Sequence, residues 1–228
     1  MVTHKEEGAV TQPWHVAEVV PAHMFGVGGP VYDPPYETPL EDELAWHLVK
    51  YLRRPVRLHS QVRVPTPCGV FWVDFVLEHR GRYLGIECGA LEEEVDERQE
   101  RYRDALIMGT GAFEVLYRFR GEDLFHHMED LLYLLAREHP ALFTERALIN
   151  LERLASPAAR AAATAAPGGF AWPPAGDSLA IRYPEADEDA AAATLRVKRL
   201  RLKCATDWVR DHDAALAEYG ARPMARTA

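Results

Sequence analysis

Two acidic side chains interrupt apolar runs of this sequence: Asp74 in Phe71-Trp72-Val73-Asp74-Phe75-Val76-Leu77, and Glu87 at the end of Tyr83-Leu84-Gly85-Ile86-Glu87. A buried carboxylate without a partner is strongly unfavourable, so each needs a compensating group. Both runs have strand character, and Arg80-Gly81 between them suits a two-residue hairpin turn. With the turn centred there, residues whose numbers sum to about 161 lie opposite, which sets Asp74 across from Glu87 on one sheet face. Two like charges in that register repel unless a proton or a cation is shared. Mg²⁺ or Mn²⁺, which favours carboxylate and carbonyl oxygens, answers that repulsion and can activate water for phosphodiester hydrolysis. The plainer alternative pairs each acid with an arginine of the following segment: Arg98, Arg101 or Arg103.

The elements around these acids can be read from local chemistry. Thr38 is a good N-cap, Pro39 suits the first helical position and Glu41 completes a capping box, so a helix runs from there towards Arg53-Arg54-Pro55. Strand-like runs follow at residues 61–65, 70–79 and 82–88. In the middle run Phe71, Val73, Phe75 and Leu77 alternate with Trp72, Asp74 and Val76, which points Asp74 away from Val73 and Phe75. Residues 91–109 predict a helix with acids in its first turn, 113–119 a fourth strand, and 122–139 an amphipathic helix. A helical crossover makes strands three and four parallel, giving a mixed four-stranded sheet with helices on its faces.

Outside residues 37–154, the predicted core domain, the sequence changes character. Residues 1–36 hold five prolines and the run Gly26-Val27-Gly28-Gly29, which predicts an extended arm with a flexible turn, since no phosphate-loop Lys-Ser/Thr follows. Residues 155–184 are rich in Ala, Pro and Gly and predict a linker, after a short helix over 142–154. Residues 185–228 predict one long helix and a tail, with Leu195, Leu202, Val209 and Leu216 at every seventh position, a seam through which the chain could pair as a homodimer. A strand over 195–202 is the alternative. Arg196, Arg199, Lys203 and Arg210 flank that seam at helical spacing, where they would either track a nucleic-acid backbone or solvate a packing helix.

Composition narrows the class. The formal net charge of −9 argues against nonspecific coating of nucleic acid while leaving room for a local basic groove. No apolar run approaches the roughly 20 residues that span a bilayer, and the N-terminus lacks secretion-signal features, so no membrane association and a cytoplasmic location are expected. Cys68, Cys88 and Cys204 form no CxxC pair, which predicts thiols and no structural zinc site.

The acids at the ends of a β-meander, with twelve residues between them, a capped helix before and an α-β pair after, resemble the PD-(D/E)XK, or restriction-endonuclease-like, nucleases. The likeness covers about residues 37–140. It is nearest to small domains related to very-short-patch-repair endonucleases, through Gln61, Val73-Asp74-Phe75, Ile86-Glu87-Cys88, Arg103 and Glu41. It implies an α/β fold with an α-β-β-β-α-β core, to which the predicted helix after residue 185 would add a C-terminal helical extension, acting on DNA. It also implies that Asp74, Glu87 and the Cys88 carbonyl hold Mg²⁺, and that Glu41 adds a water-mediated contact. Gln61 and Arg103 would face the nucleic acid.

The family's lysine position is Gly89 here, and a glycine can neither orient water nor neutralise charge. Taking Leu91 as the centre of the next helix's buried face puts Arg98 near that centre as a substitute cation, with Gln99 beside it and Arg103 well to the side. Three functions stay open: a Mg²⁺-dependent endonuclease, a nuclease-fold module that binds DNA or a protein without cutting, and an unrelated dimerising α/β domain.

Overall fold

The computed structural model describes residues 29–89, 97–164, 178–183, 193–201 and 217, with backbone alone for 97 and 98. Helix α1, Pro39–Tyr51, starts as its chemistry dictates: the Thr38 side chain accepts from Glu41 N at 3.2 Å. Strands β1 (Arg57–Thr66), β2 (Gly69–His79) and β3 (Arg82–Cys88) form an antiparallel meander. At the second turn Arg80 and Gly81 both have positive φ, +56° and +72°, the geometry that matches the twist of a tight hairpin. After α2 (Glu97–Gly109) comes β4 (Val115–Phe119), parallel to β3. Then follow α3 (Gly121–Glu138), α4 (Glu145–Leu154), α5 (Pro157–Thr164), β5 (Ser178–Arg182) and β6 (Thr194–Arg201).

The sheet has six strands in the order β1-β2-β3-β4-β6-β5, every pair antiparallel except β3 with β4. Leu44 and Leu48 of α1, Leu131 and Leu135 of α3, Leu151 of α4 and Ala159 of α5 pack with Phe75, Leu77 and Ile86 on one side. Ile107 and Met108 of α2 pack with Val62, Val73 and Leu116 on the other. The fold is thus a mixed α/β sheet with helices on both faces.

Three expectations need correction here. The sheet is six-stranded rather than four-stranded, because Thr194–Arg201 is a strand and not part of a long helix. Strand pairing to β4 and β5 buries Leu195, Val197 and Leu200, so Leu195 is spent in this chain's own core and not on a dimer seam. Leu202, Lys203, Val209, Arg210 and Leu216 lie outside the described residues, as do 1–28 of the predicted arm. The predicted linker contains α5, whose Ala159 and Ala163 are fully buried: its small side chains allow close packing on α3. It also contains β5.

The third concerns β2. Its alternation breaks at Asp74: Val73 and Val76 pack towards α2, whereas Phe75 and Leu77 pack towards α1 and α3. Opposite Asp74, Gln61 has φ +50°, a left-handed conformation uncommon for a side-chain-bearing residue, and the ladder steps from Ser60↔Phe75 to Val62↔Val73 past this pair. The backbone turns over there, and a strict two-residue period cannot carry through.

Close packing above β3 gives a direct test. A Cβ at Gly85 would come within 2.6 Å of Leu116 Cδ1 and 3.4 Å of Val73 Cγ1. The Leu116 methyl can rotate away, so Gly85→Ala should cost about 1 kcal/mol, the low end for overpacking a core. Urea denaturation measures it, and an unchanged midpoint would contradict the packing described.

Candidate functional site

The ladder of β2 with β3 keeps the predicted register, numbers summing to 161, as far as Phe75↔Ile86, one rung before Asp74 and Glu87. Their environments nonetheless differ. Asp74 Oδ2 accepts the Cys88 N–H at 2.7 Å, so the carboxylate caps the last backbone donor of β3. Burial pushes Asp74 up to about 6, against the hydrogen bond from Cys88, with Glu41 adding to the rise.

Glu87 is 5% exposed and belongs to a network of charges between the sheet and α2. Glu87 on β3, Arg118 on β4 and Lys198 on β6 occupy one lateral row, Glu87↔Arg118 and Arg118↔Lys198. Glu100, Arg103 and Asp104 of α2 close over it. Arg103 Nη2 lies 2.7 Å from Glu87 Oε1, and Arg118 Nη2 lies 2.7 Å from both Glu87 Oε2 and Asp104 Oδ1. Lys198 Nζ is 2.7 Å from Asp104 Oδ2 and 3.4 Å from Glu100, which Arg118 Nη1 also reaches at 3.3 Å. The Arg118 Nη2 contacts are ion contacts shared between two acids and not aligned hydrogen bonds, since the buried oxygens they face keep unfilled hydrogen-bonding capacity.

Among the described residues three acids face three cations, which balances the network. Burial raises Glu87 to about 7 despite the opposing pull of Arg118 and Arg103, while the surrounding acids hold Arg118 firmly charged.

Beside this network β2 outruns β3, and the overhang walls a cleft of about 460 Å³ lined by Glu37, Gln61, Phe71, Trp72, Asp74 and Arg103. Arg103 spans the two regions: its Nη2 donates to Glu87 and, at 2.7 Å, to the carbonyl of Trp72, and its guanidinium lies 5.8 Å from the Phe71 ring centroid. Trp72 is 51% exposed, and Arg63, directly across the ladder from it, is exposed as well.

The other predicted site residues are distributed unevenly. Glu41 is buried and accepts from Gln61 Nε2 at 3.1 Å, from Thr38 Oγ1 at 3.0 Å and from Glu37 N at 3.3 Å. Its carboxylate orients Gln61 and the helix start. Among the described side chains of α2, Arg103 reaches Glu87, although a helical phase taken from Leu91 sets it well to the side. The side chain of Arg98 lies outside the described residues, and Gln99 is exposed. Gly89 donates its N–H to Phe119 O at 2.7 Å, tying the end of β3 to β4.

Arg196 and Arg199 form no helical stripe. They sit on β6, where Arg196 is exposed and offers its backbone N–H to Asp123 at 3.2 Å, and Arg199 is buried and donates to Glu138.

Sequence reasoning missed Arg118, Asp104, Lys198 and Trp72. For Arg118 a signal existed: it is a charge inside the apolar strand Val115–Phe119, in parallel register with Glu87. Lys198 was assigned to a helix, which hid its place in the row.

No protein-family model, curated protein or solved structure matches the chain. No helix among the described residues is long and apolar enough to cross a membrane.

The donor set does not fit the divalent cation that the resemblance implies. Among the described residues no three His, Cys, Asp or Glu side chains gather as ligands. More directly, the two oxygens of Glu87 already face guanidinium groups at 2.7 Å, and a dication placed there would meet two positive charges.

Proposed function

We propose that the chain is a restriction-endonuclease-like module that binds DNA in the cleft beside Asp74 and does not cut it by metal-activated water. The observation carrying this reading is the occupation of Glu87 by Arg103 and Arg118 inside a charge-balanced, buried network. The order α-β-β-β-α-β of the first six described elements supports the nuclease-like architecture. Glycine at position 89, with its N–H committed to Phe119 O, supports the loss of hydrolysis. An exposed tryptophan between two arginines supports binding of nucleic acid, since an aromatic surface with nearby cations meets both base and phosphate.

Asp74 favours a second, hydrolytic reading: it is an acid retained at a cleft wall although burial raises it to about 6. That reading needs Glu87 to exchange its arginines for a cation.

One pair of measurements separates them. Titration calorimetry with Mg²⁺ and Mn²⁺ is expected to give no binding heat, and labelled single-stranded, duplex and branched DNA are expected to stay intact while at least one is bound. Divalent-dependent cleavage that Asp74→Ala abolishes would reverse the assignment. Failure to bind any of the three would remove DNA as the ligand.

A further inference from the structure

The cleft has a polarity that selects among nucleic-acid ligands. Its volume of about 460 Å³ lies in the range of small-molecule pockets, about 300–1,000 Å³, and suits a nucleotide. One wall is the exposed indole of Trp72 with Phe71 beside it. Cations flank that wall: Arg103 from α2, bonded to the Trp72 carbonyl, and Arg63 across the β1–β2 ladder.

The rest of the lining is rich in acceptors. Asp74 commits Oδ2 to Cys88 N and leaves Oδ1 without a protein partner among the described residues. Gln61 donates Nε2 to Glu41, which fixes the amide and leaves its carbonyl oxygen for a donor from the cleft. Glu37 adds a further carboxylate. The base edges that answer such a lining carry N–H₂ groups.

Resting on the DNA-binding reading above, we propose that the cleft takes a single unpaired nucleotide whose base carries an exocyclic amine, stacked on Trp72 with its phosphates on Arg103 and Arg63. In a duplex the base faces and Watson–Crick edges are already occupied, so neither Trp72 nor Asp74 could use them; an unpaired base presents both. Adenine and cytosine present an amine to Asp74 and Gln61. Thymine presents a single N3–H between two carbonyl oxygens, so it gives this acceptor-rich lining one donor and sets two oxygens against it, which weakens its binding without abolishing it.

The experiment is fluorescence anisotropy with labelled oligo(dA), oligo(dT) and a mixed duplex of about 12 nucleotides, within the size range of single-strand sites. It uses the full chain, Trp72→Ala and Trp72→Phe. Trp72 is half exposed, so its removal leaves no cavity, and circular dichroism checks the fold.

The expected result is oligo(dA) bound ~10-fold or more tightly than duplex, with Trp72→Ala weakening it by ~10-fold and Trp72→Phe retaining most of the affinity, as stacking requires. Oligo(dT) should bind several-fold more weakly than oligo(dA). Duplex bound as tightly as oligo(dA), an unchanged affinity in Trp72→Ala, or equal binding of oligo(dA) and oligo(dT) would each overturn this inference while leaving DNA binding in place. Absence of binding to all three, and to a branched DNA run alongside them, would overturn the parent reading as well.

Discussion

Arg118→Met is expected to destabilise the fold by about 3–5 kcal/mol, the cost of removing one partner from a buried ion pair and leaving its acids uncompensated. Among the described residues, Arg118 is the only cation that touches Glu87, Asp104 and Glu100 together. A methionine keeps much of the volume, so lost charge and not a cavity dominates. Burial already holds Glu87 near 7, and without Arg118, which pulls it down, Glu87 takes up its proton more readily. Protonation relieves part of the excess negative charge. The loss should therefore be larger at pH 8 than at pH 6, read from urea midpoints at both. Equal, small losses at the two pH values would mean that the network does not hold α2 to the sheet.

Asp74→Asn should act in the opposite direction. Asp74 has a folded value of about 6 against an ordinary 3.8, so the folded state binds its proton more tightly than the unfolded chain does. The resulting stability is fully present below about pH 4 and is lost as pH rises through 6. Glu87, raised to about 7 from 4.5, has the same sign in a slightly higher window. At pH 8 an ionised Asp74 costs the fold about 2 kcal/mol, taking 1.36 kcal/mol per unit and discounting for partial exposure. Asparagine can still accept from Cys88 N and carries no charge, so the variant should be more stable by about that amount at pH 8 and indistinguishable near pH 4. Thermal melts across that range decide it, and a variant less stable at pH 8 would show that the ionised form is the one the fold prefers. A residue kept where a neutral isostere would be more stable is the pattern of a side chain retained for use.

Much of the described core between Thr38 and Leu154 was legible because local signals agreed with tertiary ones. The Thr38 cap, the Arg80-Gly81 turn and the uniform run to Cys88 each state their structure within a few residues. The register of β2 with β3 followed from turn arithmetic. The partners of Glu87 did not, because they are set by the parallel register to β4, by a strand about 75 residues further on and by the phase of α2. The turnover at Gln61 was also hidden, since the run around Asp74 keeps a period of two in letters while the backbone breaks it in space. The alanines of α5 read as a linker because small residues mark both flexible chain and close helix contact, and only burial tells these apart.

The placement of β6 between β4 and β5 bears on how the molecule is made. As the chain leaves the ribosome, β3, α2 and β4 can associate at once, but the far edge of β4 must wait for a segment beginning about 75 residues later. During that interval its free N–H and C=O groups form a template for any extended chain nearby. Closing so distant a contact slows folding and lengthens the exposure. The six-stranded sheet thus carries a kinetic hazard in synthesis that its finished form conceals, and it ends only when Leu195, Val197 and Leu200 arrive to close the edge.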